Sequence, residues 1–245
     1  MATRGSALAR WQAEHVADRL RRLDPGRPVE LVVVSTQGDR DRVSPLSAIG
    51  GKGVFVKEVQ AALLDGRADV AVHSGKDLPA GTPDGLVIAA VPERADPRDA
   101  LIGCRLDELP AGGSVATGSA RRRAQLASVR PDLTFAELRG NIDTRLASAD
   151  RFDAIVLAMA GLDRLGRSDA VAEALDPSVM VPQVAQGALA VECRTEPSTV
   201  ATLSALEHAG SRRAFDAERA FLAELGGDCD LPAGAHAVTD GDELV

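Results

Sequence analysis

After Thr3-Arg4-Gly5-Ser6, apolar residues recur at helical spacing through Leu8, Trp11, Val16, Leu20 and Leu23. Pro25-Gly26 closes the run, so the pattern predicts an amphipathic first helix. Val29 to Val34 reads as its partner strand. A second helical stretch from Phe55 to Leu64 ends at Asp65-Gly66 and leads into the short apolar strand Asp69 to His73; Leu86 to Val91 is another strand, closed by Pro92. From Ser114 the alternation restarts, with a strand to Ala116, a helix from Ser119 to Val129, a strand near Leu133 to Leu138, a helix from Asn141 and the strand Asp153 to Leu157. Strand and helix in turn imply an α/β fold with mixed, largely parallel sheets. Pro92 to Asp99, rich in proline and charge, reads as a crossing between two lobes, and Val181 to Gln186 as the return. Ala188 to Cys193 is a strand that rejoins the first lobe, and Arg212 to Leu225 a helix. The expected division is 1–92 with 187–208, then 93–186, then a third segment at 209–245. No internal sequence repeat is visible.

The 245 residues are 45% hydrophobic, enough for a real core, but one Trp, no Tyr and five Phe leave few rings to stack on bases. A net charge of −8 argues against general affinity for a polyanion, so any anion site needs locally clustered arginines. No nucleic-acid partner is therefore expected. Cys104, Cys193 and Cys229 are odd in number and far apart, which suggests neither a disulfide framework nor a metal site. The first residues lack a secretory pattern and no apolar run spans a membrane, so a cytoplasmic protein without a membrane partner is expected.

Candidate chemistry gathers after strands. Ser74-Gly75-Lys76-Asp77 follows an apolar strand, where open α/β sheets place ligands; the competing reading is a polar loop with a surface Lys-Asp pair. Thr117-Gly118-Ser119-Ala120-Arg121-Arg122-Arg123 opens a helix, and arginine there is unfavourable beside the positive helix end unless an anion is bound. Arg139-Gly140-Asn141 with Arg145, and Arg164 beyond the Ala154 to Leu162 segment, repeat the arrangement. Taken singly each is a surface arginine; together they suit a carboxylate-rich ligand. Gly50-Gly51-Lys52-Gly53 lacks phosphate-loop spacing, though Lys52 adds charge. His15 reads as a helix-packing residue, and Cys104 and Cys193 as small buried hydrophobes. Cys229 sits in Gly226-Gly227-Asp228-Cys229-Asp230-Leu231-Pro232, a turn that displays its thiol, while the flanking carboxylates disfavour a thiolate that fires on every turnover. A thiol modified once and kept fits better.

In order, the segments TRGSALARWQ, GGKGVFVKE, VHSGKDLP, RADPRDALI, ATGSARRRAQL, LRGNIDTRL, DAIVLAMAGLDRLG, QGALAVECR and LGGDCDLPAG resemble the porphobilinogen deaminase (hydroxymethylbilane synthase) family, from Thr3 to about Gly234. The resemblance implies a transferase that condenses four porphobilinogen molecules into a linear tetrapyrrole with release of ammonia. It also implies two lobes like those of periplasmic binding proteins, a third α/β domain, and a monomer. Cys229 would hold a covalent dipyrromethane cofactor, and Asp77 would be the catalytic carboxylate, assisting ammonia departure and stabilising positive charge on pyrrole nitrogens. Cofactor contacts are implied for Lys76, Thr117, Ser119, Arg121, Arg122, Arg139 and Arg145; substrate contacts for Arg4, Ser6, Lys52 and Arg164.

The sequence departs from the family pattern in places. Gly75 and Gly118-Ser119-Ala120 replace bulkier residues, and looser loops are expected there. Asp228 and Asp230 flank the cysteine, with slower cofactor attachment expected. Only Met1 and Ala2 precede the TRGS motif, so the strand before it is expected to be almost absent, and the third domain to be shortened after Val245. A two-lobed anion-binding protein without catalysis, or a truncated inactive homologue, is the competing reading.

Overall fold

The computed structural model describes residues 1–36, 53, 55–227, 231–241 and 243–245. It divides into two compact units, residues 1–94 with 188–231 and 237–245, and residues 95–187 with 232–236.

The first unit is built on a five-stranded sheet. Its strands are β1 (Ala2–Arg4), β2 (Val32–Val34), β3 (Val70–Ser74), β4 (Leu86–Ala90) and β10 (Leu189–Arg194), in the order β2-β1-β3-β10-β4. β1 runs parallel to β2 and β3, whereas β10 is antiparallel to β3 and β4. Only Ala2 of β1 precedes the TRGS motif; the strand is completed by the motif's own Thr3 and Arg4, and these three residues pair with Val32, Val33 and Val34. On one face lie α1 (Ala7–Leu23) and α6 (Pro197–Ser204), on the other α2 (Lys57–Leu64). The alternation of β3 explains this, since Val72 packs with Val16, Leu20 and Leu203 while its neighbour Ala71 packs with Val59 and Leu63.

The buried stripe of α1 is Gln12, Ala13, Val16, Ala17 and Leu20, so Trp11 and Leu23 fall outside it. Alanines let the helix sit close on the sheet, and exposed Trp11 stacks instead on His15, ring centroids 5.0 Å apart.

The second unit repeats the plan. Its strands β5 (Asp99–Ile102), β6 (Ser114–Ala116), β7 (Thr134–Ala136), β8 (Ala154–Ala158) and β9 (Val171–Ala174) lie in the order β7-β6-β8-β5-β9. β6 is parallel to β7 and β8, while β5 is antiparallel to β8 and β9. Each sheet therefore has three neighbouring parallel strands and an antiparallel strand fourth in the order. In both cases that fourth strand, β10 or β5, is the one that follows a crossing segment. A repeat invisible in the residues is plain in the topology. α3 (Ala120–Val129) buries Leu126 against Val115, Leu101 and Val156. α4 (Ile142–Leu146) and α5 (Met159–Arg164) cover the opposite face, around Ala100, Ile155 and Leu157.

α7 (Ala209–Glu224) belongs to the first unit and begins three residues before the apolar pattern suggested. His208 caps it, its Nδ1 accepting from Ser211 N at 3.2 Å. A short hairpin, β11 (Thr239–Asp240) with β12 (Glu243–Leu244), follows. No helix among the described residues is long and apolar enough to cross a membrane.

Candidate active site

Equivalent strand ends carry the candidate residues in the two units. β1 runs out at Arg4, and after Gly5 the Ser6 hydroxyl caps α1 by accepting from Ala9 N at 3.2 Å. β6 runs out at Ala116, and after Thr117-Gly118 the Ser119 hydroxyl caps α3 by accepting from Arg122 N at 3.4 Å. Each cap uses a lone pair and leaves the O–H to donate elsewhere.

In the first unit, β3 ends at Ser74 and passes into a single 3₁₀ turn, Gly75–Asp77. Gly75 is buried and its N–H donates to Ala188 O at 2.9 Å, so the turn is pinned to the chain entering β10 and is not loosened by its glycine. Lys76 and Asp77 are half-buried. A pocket at these strand ends is lined by Arg4, Gln12, Phe55, His73, Ser74 and Asp77 among others. The Arg4 guanidinium lies over the Phe55 ring, 4.1 Å from its centroid. Gln12 is 3% exposed and its Nε2 meets no hydrogen-bond partner, an orphaned donor in the pocket wall.

Behind this pocket is a network absent from the sequence reading. Glu192 is fully buried on β10, with Oε2 3.0 Å from His73 Nε2 and Oε1 accepting from Gln60 Nε2 at 2.9 Å. His73 and Glu192 are separated by 119 residues, and only the antiparallel pairing of β3 with β10 brings them together. From α7, Arg219 donates to Ala80 O at 2.8 Å, just past the Asp77 turn.

In the second unit, Arg121 and Arg122 do not point freely outward. Both are buried and converge on Asp99, the first residue of β5. Arg121 Nη2 donates to Asp99 Oδ2 at 2.7 Å, and Arg122 Nη2 and Nε to Oδ1 at 2.7 and 3.1 Å. Gln186 Nε2 adds a further donor at 2.8 Å. Burial opposes ionisation of Asp99, yet the two guanidiniums outweigh it and hold its pKa down at about 2. One carboxylate against two arginines leaves one positive charge in excess. Arg121 keeps a buried Nε without a partner, whereas the nitrogens of Arg122 are taken by Asp99 and by Val156 O at 2.9 Å.

Gly118 brings the two strand ends close together: a Cβ there would stand 2.9 Å from Leu138 O, so glycine tightens this loop against expectation. Beyond β7, Asn141 caps α4, and Arg145 Nε donates to Gly140 O at 2.8 Å; Arg139 and Arg145 are half-buried. Arg164, at the end of α5, is 9% exposed and donates to Gly187 O at 2.7 Å; burial draws its pKa down to about 10. Thr117 is buried, its Oγ1 accepting from Ser119 N at 3.2 Å. Lys52 and Cys229 lie outside the described residues.

The donor set is cationic and neutral N–H and O–H groups: Arg4, Gln12 and Lys76 in one unit, Ser119, Arg121, Arg139, Arg145 and Arg164 in the other. Each unit's set suits carboxylate groups, and the buried unpartnered nitrogens, Gln12 Nε2 in the first unit and Arg121 Nε in the second, are donors that an anionic ligand of that unit would satisfy. Asp99 lies in the RADPRDALI run, and no residue spacing marks it as the arginines' counter-ion.

Comparison with known proteins agrees with this chemistry. The family model described as "Porphobilinogen deaminase, dipyromethane cofactor binding domain" matches residues 1–202, and "Porphobilinogen deaminase, C-terminal domain" matches 213–245. A porphobilinogen deaminase of Nitratidesulfovibrio vulgaris is 49% identical over 99% of this chain and 78% of its own length. Another, of Chromobacterium violaceum, is 51% identical over 97% of this chain and 79% of its own. Among solved structures, the Bordetella pertussis BvgS VFT2 domain is 16% identical, with a TM-score of 0.44 and 87% of this chain and 83% of that one covered. The matched family models and these identities over nearly the whole chain establish that the protein belongs to the porphobilinogen deaminase family.

Proposed function

We propose that this chain is a hydroxymethylbilane synthase, a transferase that joins four porphobilinogen units head to tail with loss of ammonia at each addition, in tetrapyrrole biosynthesis. The observation that carries the reading is one half-buried carboxylate, Asp77, lining a pocket together with Arg4 and Gln12; within the second unit, two arginines around one Asp99 carboxylate add support. Each pyrrole brings an acetate and a propionate, and an acidic protein needs such a local excess of positive charge to hold them. This favours an enzyme over a binding protein, which has no use for Asp77 beside its anion donors.

When bound, the dipyrromethane cofactor supplies the pyrrole end onto which units are added. Cys229 anchors it. Ser119, Thr117, Lys76, Arg121, Arg139 and Arg145 hold its carboxylates; Arg122, spent on Asp99, acts through the field it adds. Arg4, Ser6, Lys52 and Arg164 orient the incoming porphobilinogen. Asp77 stabilises positive charge on the reacting pyrrole nitrogen and helps ammonia leave. Residues 209–245 are read as the start of the third domain, a placement supported by the C-terminal family model. We place the enzyme in the cytoplasm as a monomer; the net charge of −8 supports leaving nucleic acid out.

Intact-mass measurement tests the reading. Protein made in a tetrapyrrole-producing host should carry a two-pyrrole adduct, and Cys229→Ala should lack it. Unmodified wild-type protein after incubation with porphobilinogen would overturn it.

A further inference from the structure

His73 lines the same pocket as Asp77, yet nothing in the proposed function uses it. Its ring is 5% exposed and its Nε2 faces Glu192 Oε2 at 3.0 Å. Glu192 has 0% exposure, and its other oxygen accepts from the Gln60 amide at 2.9 Å. Both carboxylate oxygens thus face nitrogens, one of the imidazole and one of the amide. The Arg219 guanidinium, buried on α7, adds an attractive field toward Glu192. A carboxylate so held fixes the tautomer of its imidazole: Nε2 carries the proton and donates it, which leaves Nδ1 unprotonated. This is the logic by which a buried acid orients and strengthens a histidine base.

The reaction has work for such a base. When each carbon–carbon bond forms, the attacking pyrrole must lose the hydrogen on its α-carbon. Asp77, already assigned to the positive charge on the ring nitrogen and to the departing ammonia, is poorly employed in taking that proton as well.

We propose that His73, oriented by Glu192, is the base that accepts this α-proton. The inference rests on the reaction assigned above. The α C–H bond breaks, its electron pair restores the aromatic pyrrole, and the proton moves to His73 Nδ1, giving an imidazolium paired with the Glu192 carboxylate. Ammonia released from the incoming unit then takes the proton away as ammonium, which returns His73 to its neutral form. From the second addition onward the ring that loses the proton is itself a porphobilinogen unit.

Three measurements on the cofactor-loaded protein decide it. Nitrogen-15 NMR of the resting wild type, with the His73 ring assigned by through-bond correlation to its own backbone, should show the proton on Nε2 and none on Nδ1; a ring protonated at Nδ1 overturns the proposal, and this arm needs no variant to fold. His73→Gln and Glu192→Gln, checked by mass for the two-pyrrole adduct, should each lower kcat roughly 100-fold or more with KM changed less than about twofold. Porphobilinogen deuterated at its free α-carbon should then show a larger isotope effect than in wild type, because proton loss becomes limiting. A variant that carries the adduct with near wild-type kcat, or a slowed one with an unchanged isotope effect, refutes the assignment. A wild type that leaves porphobilinogen untouched would instead refute the functional reading itself.

Discussion

Arg94 grips Glu218 with both ends of its guanidinium, Nη1 2.7 Å from Oε1 and Nη2 3.1 Å from Oε2, and the Glu218 side chain is 1% exposed. The same Oε1 accepts from Ala237 N at 2.8 Å. One carboxylate therefore fastens α7, which leads toward Cys229, both to the segment after β4 and to the chain beyond the cysteine loop. Breaking such a pair strands the other charge in low dielectric, so Glu218→Gln should cost about 3–5 kcal/mol in urea unfolding. Adding Arg94→Met removes the stranded cation, and the double variant should be more stable than Glu218→Gln alone. If the pair were a dispensable surface contact, the two changes would add independently.

Asp99 makes stability depend on acid. Its folded pKa of about 2 lies below the ordinary 3.8, so the folded state favours the ionised form. That contribution, about 2 kcal/mol, is complete above pH 4 and disappears as pH falls toward 2. Asp99→Asn should flatten the stability curve across this window. It should also destabilise the protein at neutral pH, since two buried guanidiniums lose their counter-charge. Unfolding free energies at a series of pH values provide the check, and an equally steep acid limb in the variant would contradict the assignment.

What could be read from sequence followed from local physics. Short apolar strands after turns and caps, such as Ser6 and Ser119, placed the helices and strand ends that carry the candidate residues. Periodicity failed where helix packing used small residues: Ala13 and Ala17 fill the α1 interface that Trp11 was expected to occupy. β5 and β9 were missed because Asp99 begins one inside a charged, proline-rich run and Glu173 interrupts the other. The arginines were found by type, but their engagement was not: Asp99 and Arg122 meet only after β5 pairs with β8. Glu192 is more distant still, a lone acid in an apolar strand whose partners come from β3 and α2.

Gly140 holds the arginine loop by conformation and by space. Its φ is +102°, and a Cβ would stand 2.8 Å from Thr144 Cγ2 in the first turn of α4. Gly140→Ala should cost about 1–3 kcal/mol. Because Arg145 Nε donates to Gly140 O, the shift should also weaken anion binding, seen as a lower yield of the two-pyrrole adduct. Unchanged stability and adduct yield would place this loop outside the site.

The role proposed for Asp77 predicts that holding the cofactor and extending it can be separated. The 3₁₀ turn is fixed by backbone contacts, Gly75 N to Ala188 O and Leu78 N to Gly75 O at 3.2 Å, and none of these uses the Asp77 side chain. Asp77→Asn should therefore leave the turn, the fold and the Cys229 adduct in place while it removes the carboxylate proposed to face the reacting ring. The variant should carry the two-pyrrole adduct at wild-type yield, and given excess porphobilinogen its turnover should fall roughly 100-fold or more, the scale of a lost proton-transfer group. Intact-mass spectra taken over time would read this directly. Wild type should pass through species heavier by successive pyrrole units and return to the starting mass, whereas the variant should stay near the mass at which it began. Normal cycling in Asp77→Asn would remove the carboxylate from the chemistry, and loss of the adduct would move its role to assembly of the cofactor site.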